Sequence, residues 1–363
     1  MATIRDVARV ADVSIATVSA TLNGTARVSQ KRAQRVWDAI RAVGYTPHEI
    51  ARSLRLGHTR SIGLIVGDIS NPFFTSLAKA VEASASAAGY MVILANSDES
   101  PEKELNLIKL LLEQRVAGIL LAPSGHDAEY RSALSAIVRV PVVLVDRQLP
   151  GTAYDAVVVD NRGAARMVTD YLVRLKHTRI AIVIGRQHIW TTAQRVMGYR
   201  EGLRAAGLKR DPDLERQADS RIETAYEATQ RLLGMADPPT ALFAANNLML
   251  LGALNAILDM RLDCPGRISL AGVDDFPWSS AMRPRLTTVS QPIGEMGTRA
   301  VEQLLDRIAR RTAIRRLSVK TITLEPRFMI RESCASPEVD ARLAVRPRAV
   351  RIKRTSKRAG GPK

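Results

Sequence analysis

The chain has 363 residues, 46% of them hydrophobic and 25% charged, the balance of a globular protein with two or three domains and an ample core. No apolar run approaches the roughly 18 residues needed to span a bilayer. The polar start carries no signal-like apolar stretch, so a cytoplasmic protein without membrane contact is expected. The net charge of +17 is unevenly placed: residues 1 to 60 carry +6 and residues 331 to 363 carry +7, leaving +4 for the 270 residues between. Positive charge gathered at one end suits phosphate neutralisation, whereas a nearly balanced middle suits a different ligand. Cys264 and Cys334 form no metal-spaced cluster and read as reduced structural thiols; no cofactor or metal site is expected.

Residues 3 to 24 read as two short helices around a tight turn. Thr3 followed by Asp6 is a capping-box-like start, and Ile4, Val7 and Ala8 share one apolar face. Ala11-Asp12-Val13 breaks the pattern, Ser14 caps a second helix, and Asn23-Gly24 ends it. Two helices of about two turns each cannot bury a core alone. A third is therefore expected over Ser29 to Val43, with Ala33, Val36, Trp37 and Ile40 as its apolar stripe and Gly44 as its stop. This is the pattern of a helix-turn-helix whose second helix faces DNA.

Pro47 and Gly57 bracket a linker with short helical potential. From residue 61 onward, short apolar runs alternate with helix-period segments, the signature of α/β architecture. Strands are expected at Ile62–Val66, Met91–Ala95, Gly118–Leu121, Val142–Val145, Ala156–Val159, Ile180–Ile184, Ala241–Ala244 and Ile268–Ala271. Two doubly wound halves with parallel sheets would turn their strand ends toward a shared cleft. The last stretch, RPRAVRIKRTSKRAGGPK, has few large apolar residues and reads as a solvated basic extension.

The chain resembles the lactose/galactose repressor (LacI/GalR) family of transcriptional regulators. The resemblance rests on Val13-Ser14, Ala16 to Ser19, Leu22-Asn23, Arg27 to Ser29 and Gly44-Tyr45-Thr46-Pro47, and continues through ARSLR at 51 to 55 and IGLIVGDISNPFF at 62 to 74. GVDD at 272 to 275, LTTVSQP at 286 to 292 and IRES at 330 to 333 complete it. It implies a three-helix helix-turn-helix headpiece over 1 to 46, a hinge over 47 to 60, and a two-subdomain periplasmic-binding-protein-like core over 61 to 330. One subdomain would hold 61 to 160 with 290 to 320, the other 161 to 289 with 321 to 330, and 331 to 363 would be a basic, disordered tail. The function implied is a sequence-specific DNA-binding repressor whose operator affinity is controlled allosterically by a small metabolite.

For DNA, the resemblance places Ile15, Ala16, Thr17, Ser19, Ala20 and Asn23 on or near the recognition surface. Ile15, Ala16 and Ala20 offer no bidentate hydrogen bonds, so base readout there is steric or directed at thymine methyl groups. Ala20 stands where the family usually has arginine. Thr17, Ser19 and Asn23 suit phosphate contacts, although local helix hydrogen bonding would occupy the first two equally well. In the hinge, Leu54 matches the family's minor-groove wedge, small Ala51 permits close approach, and Arg52 and Arg55 face phosphates. One headpiece covers a half-site, so a homodimer on a pseudo-palindromic operator is expected.

For the effector, the matching positions are Asp146, Asn161, Arg195, Asn246 and Asp274, with Phe73, Phe74, Trp190 and Trp278 as apolar walls. Asn247 and Lys176 depart from the family's usual aspartate and glycine. A sugar or sugar acid is the expected ligand and a purine the alternative. Two rival functions share the core: a solute-binding protein, and an enzyme acting in the cleft. No G-x-S-x-G elbow, Walker loop or HExxH motif is present to support catalysis, so no enzyme is expected.

Overall fold

The computed structural model describes residues 2–23, 28–45, 59–310 and 318–337. At the start stand helices α1 (Ile4–Ala11), α2 (Ile15–Asn23) and α3 (Gln30–Val43). Thr3 and Asp6 close a reciprocal capping box: the Thr3 amide donates to Asp6 Oδ2 at 2.9 Å and the Asp6 amide to Thr3 Oγ1 at 3.4 Å. Asp12, in the left-handed region at φ 49°, ends α1. Ser14 Oγ then accepts the Thr17 amide at 3.1 Å and starts α2. Val7, Ala8, Ala11, Val18, Val36 and Ala39 form the small core of this three-helix unit. Trp37 was expected in the apolar stripe but is 43% exposed. The buried row is Val36, Ala39, Ile40 and Val43, at i, i+3, i+4 and i+7, and Trp37 lies about 100° round the helix from Val36. Gly44 at φ 62° terminates α3.

Beyond residue 59 the described chain alternates strands and helices: β1 (Ser61–Val66), α4 (Pro72–Ala87), β2 (Met91–Asn96), α5 (Pro101–Glu113), β3 (Gly118–Leu121), α6 (Ala128–Ile137), β4 (Val142–Val145) and β5 (Asp155–Val159). It continues with α7 (Asn161–Arg174), β6 (Ile180–Ile184), α8 (Trp190–Ala205), β7 (Glu215–Gln217), α9 (Ile222–Leu233), β8 (Ala241–Ala244), α10 (Asn247–Asp259) and β9 (Ser269–Val273). The last elements are α11 (Pro277–Ala281), β10 (Thr287–Ser290), α12 (Ile293–Arg310), β11 (Thr321–Leu324) and β12 (Arg327–Met329).

The strands build two six-stranded sheets, ordered β11-β5-β4-β3-β1-β2 and β12-β10-β9-β8-β6-β7. The pairs from β2 through β5 are parallel, as are those from β7 through β10; β12 runs antiparallel to β10. Central strands such as β1, β3, β4, β6 and β8 are buried along their whole length, as a sheet covered by helices on both faces requires. The chain forms two compact units, Met1–Val158 with Ile293–Ile322 and Val159–Pro292 with Thr323–Lys363. Strand β11 extends the first sheet, where the Ala156 amide donates to Lys320 O at 3.1 Å and the Asp160 amide to Leu324 O at 3.0 Å, and β12 joins the second.

Side-chain bonds fasten the returning segments. Burial opposes charge on Asp155, but bidentate Arg307 and the Lys320 amide outweigh it and hold the carboxyl below its ordinary range. Arg331 reaches both Asp275 oxygens at 2.7 and 2.9 Å, and Ser333 Oγ donates to Leu270 O at 2.6 Å. His177 Nε2 lies 2.9 Å from Ala335 O. Lys176, where the family usually has glycine, takes a left-handed φ of 72° and the chain still closes the helix end. Burial pushes the free thiols Cys264 and Cys334 up to about 12 and about 11. Gly198 lets α8 lie directly on α7, since a Cβ there would sit 2.1 Å from Arg162 O. No described helix is long and apolar enough to cross a membrane.

Glu104, on α5, is fully buried and accepts the Ser124 amide at 3.0 Å and the Tyr130 hydroxyl. Burial pushes its carboxyl up from 4.5 to about 7, against the lowering effect of the Tyr130 and Ser124 bonds. The folded protein therefore holds this proton where the unfolded chain has lost it, and Glu104 should make stability fall as pH rises from about 4.5 to about 7. Denaturant unfolding at several pH values should show this slope flattened in Glu104→Gln. An unchanged slope would mean that Glu104 is not the group responsible.

Candidate functional site: headpiece surface and sheet ends

On the headpiece, α2 presents Ile15, 46% exposed, and exposed Ala16, while Thr17, Ser19 and Ala20 are half-buried and Val18 anchors the helix to the core. The Thr17 hydroxyl lies 2.9 Å from Ser14 Oγ, a local bond of the kind that competes with phosphate contact. Asn23 is the last residue of α2. Arg35 on α3 donates to Asp12 O and Asp12 Oδ2 at 3.1 and 2.9 Å, pinning the turn that sets the start of α2. Ala51, Arg52, Leu54 and Arg55 lie outside the described residues, as do the rest of residues 46 to 58, most of the expected hinge, and the tail beyond 337.

In the first sheet, Asp146 follows β4 in the left-handed region at φ 69° and is 4% exposed. Phe73 and Phe74 open α4, capped by Asn71 Oδ1, which accepts the Phe73 amide at 3.0 Å. Their rings meet edge to face at 5.2 Å, and both are buried. Between these residues sits one that sequence reasoning passed over. Arg147 is buried, lies with its guanidinium carbon 5.6 Å from the Phe74 ring centre, and pairs bidentately with Glu99 at 2.7 and 2.6 Å. A basic residue two positions past a wholly apolar strand, beside Asp146, was the available signal.

In the second unit, two hydrogen-bonded groups, one around Arg195 and one around Asp274, join residues far apart in sequence and meet along the backbone of residues 245 to 247. Arg195, on α8 and 6% exposed, donates from Nε to Asn161 Oδ1 at 2.7 Å and from a terminal nitrogen to Ala245 O at 2.5 Å. Asn161, the first residue of α7, is oriented by its own Nδ2 bond to Val159 O at 3.1 Å. Asn246 caps α10, accepting the Met249 amide at 2.8 Å. The next amide, that of Asn247, donates to Asp274 Oδ2 at 3.2 Å. Asp274, after β9 at φ 76°, accepts Gln291 Nε2 on Oδ1 at 2.5 Å. Gln291, within LTTVSQP, is 8% exposed and fixes the Asp274 carboxylate, a contact that no spacing in the sequence marks.

Asn161, Arg195, Asn246 and Asp274 thus gather at strand and helix ends of one unit, where open α/β sheets bind ligands. Trp190, half-buried, is the first residue of α8, and Trp278 stacks on Phe276 with ring centres 4.8 Å apart.

A family model described as "Bacterial regulatory proteins, lacI family" matches residues 3–48, and one described as "Periplasmic binding protein-like domain" matches residues 169–334. The chain is 33% identical over 333 residues to an HTH-type transcriptional repressor PurR of Aliivibrio salmonicida, covering 92% of this chain and 99% of that one. It is 35% identical over 343 residues to the HTH-type transcriptional regulator GalR of Escherichia coli, covering 94% and 98%. A lac repressor dimer bound to operator and the anti-inducer ONPF superposes with a TM-score of 0.80 at 26% identity, covering 92% and 99%. A complex of the transcriptional regulator CelR with cellobiose gives 0.69 at 30% identity, covering 92% and 100%. With headpiece, core and nearly the full length matched, the chain belongs to the lacI family of bacterial regulatory proteins and is a DNA-binding transcriptional regulator with a periplasmic-binding-protein-like core.

Proposed function

We propose that the chain works as a homodimeric, cytoplasmic repressor on a pseudo-palindromic operator, and that a sugar or sugar acid bound in the core sets its operator affinity. The observation that carries the ligand reading is the buried Arg195, whose guanidinium is aimed by Asn161 and Ala245 O, two residues before the Asn247 amide that holds Asp274. Pre-aimed donors and a carboxylate acceptor suit adjacent hydroxyls, and Arg195 also suits an anionic group. Asp146, Asn246, Phe73, Phe74, Trp190 and Trp278 complete the proposed ligand set. Among relatives, the CelR structure holds cellobiose and the lac repressor structure is a dimer on operator with an anti-inducer, which supports both parts of the reading.

The DNA-facing set is Ile15, Ala16, Thr17, Ser19, Ala20 and Asn23 on the headpiece, with Ala51, Arg52, Leu54 and Arg55 in the hinge on the strength of sequence alone. The transcriptional regulators among its relatives support a non-enzymatic role. A transport solute-binding protein shares the core alone, and the lacI-type headpiece at 3–48 weighs against it. We place the headpiece at 1–46, the hinge at 47–60 and the ligand-binding core at 61–330.

Ligand response and DNA binding should separate by mutation. A thermal-shift screen of metabolites on the full chain, followed by titration against operator duplex, should identify an effector whose action Arg195→Ala and Asp274→Ala abolish while DNA binding persists. Normal responses in both variants would reject the ligand set. On the headpiece, Ala20→Arg should add a guanine reader worth about 1–3 kcal/mol of discrimination at one base position. A selection from random duplexes would reveal that shift, and an unchanged preferred sequence would place Ala20 away from the bases.

A further inference from the structure

At the carboxyl ends of β1 to β4, beside Asp146 and Phe74 of the ligand set, lies an ion pair, Arg147 with Glu99, to which the ligand reading gives no role. Arg147 is 5% exposed and lies over the Phe74 ring. One terminal nitrogen donates to Glu99 Oε2 at 2.7 Å and to Pro123 O at 3.2 Å, and the other donates to Glu99 Oε1 at 2.6 Å. Its Nε lies 3.4 Å from Asp146 Oδ2. Burial would lower the basicity of this guanidinium, but the attraction of Glu99 outweighs that and keeps it charged. Two carboxylates thus face one cation, and the cation's bidentate edge, the one that would recognise a carboxylate or phosphate, is already filled.

The backbone is shaped to keep Glu99 there. Asp98 and Glu99 both lie in the left-handed region, at φ 53° and 56°, and the Glu99 amide donates to Gly67 O at 2.9 Å. A Cβ at position 67 would sit 2.1 Å from Glu99 Oε1, so only glycine leaves room for the carboxylate. Lys103, the nearby cation on α5, pairs with Asp98.

We propose that Glu99 sets the charge specificity of this rim: by closing an ion pair with Arg147 it excludes carboxylate- and phosphate-bearing groups there and leaves carboxylate acceptors for an uncharged, hydroxyl-bearing part of the effector. The inference rests on the ligand reading above and narrows it: a charged group of the effector is not read at Arg147.

Inorganic phosphate is the probe, titrated at constant ionic strength into the full-length chain by calorimetry. In Glu99→Gln the guanidinium regains its free edge, and phosphate should bind about tenfold more tightly than to the wild type, as a charge-assisted bidentate contact provides. The double variant Glu99→Gln/Arg147→Met removes both charges together, which avoids leaving a buried cation unpaired. It should match the wild type, because in neither is Arg147 available. Wild-type phosphate binding that is lost in the double variant would overturn the proposal, as would Glu99→Gln binding no tighter than the wild type. Either result leaves the regulator intact. A normal metabolite response in Arg195→Ala and Asp274→Ala would instead remove the ligand reading while the phosphate difference remained measurable.

Discussion

The arrangement of the second unit depends on one buried cation. Arg195 is 6% exposed, and a guanidinium taken out of water is costly unless its donors are met. Asn161 Oδ1 and Ala245 O meet two of them, and in doing so tie the start of α7 to the end of β8. The Asn247 amide and Gln291 hold Asp274 in turn, so the ends of β8, β9 and β10 share one polar chain. Such a chain fixes side-chain directions more strictly than apolar packing does, which is what recognition of a hydroxylated ligand requires.

The first unit solves a related problem in the opposite sense. There the buried cation, Arg147, is closed off by Glu99 and flanked by Asp146, while Glu104 nearby is held by Ser124 and Tyr130. One sheet end presents an arginine held by neutral partners and the other an arginine held by carboxylates.

Much of this was legible in the sequence, for physical reasons. Fully buried central strands such as Gly118–Leu121 and Ala241–Ala244 are unbroken apolar runs between turn residues and stand at their expected bounds. The capping residues Thr3 and Ser14 announced their helices. Strands Glu215–Gln217, Thr321–Leu324 and Arg327–Met329 were missed because they are short, lie at or near sheet edges and carry polar or charged residues. Thr287–Ser290 was missed because its burial is carried largely by threonines, whose hydroxyls find partners such as Asp275. Trp37 shows the limit of spacing arguments, since the row of Val36, Ala39, Ile40 and Val43 already fills the core-facing arc of α3 and Trp37 falls outside it. Glu99 and Gln291 escaped notice because each is polar in a loop or crossing segment, and only the fold brings it to Arg147 or Asp274.

The central claim is that ligand and operator are linked through one molecule, and linkage must be reciprocal. Once an effector has been identified, its dissociation constant should be measured with and without saturating operator duplex, and the operator's with and without saturating effector. The account predicts that both affinities change by the same factor, whichever direction the change takes. Effector binding that is indifferent to operator, with operator binding indifferent to effector, would contradict it.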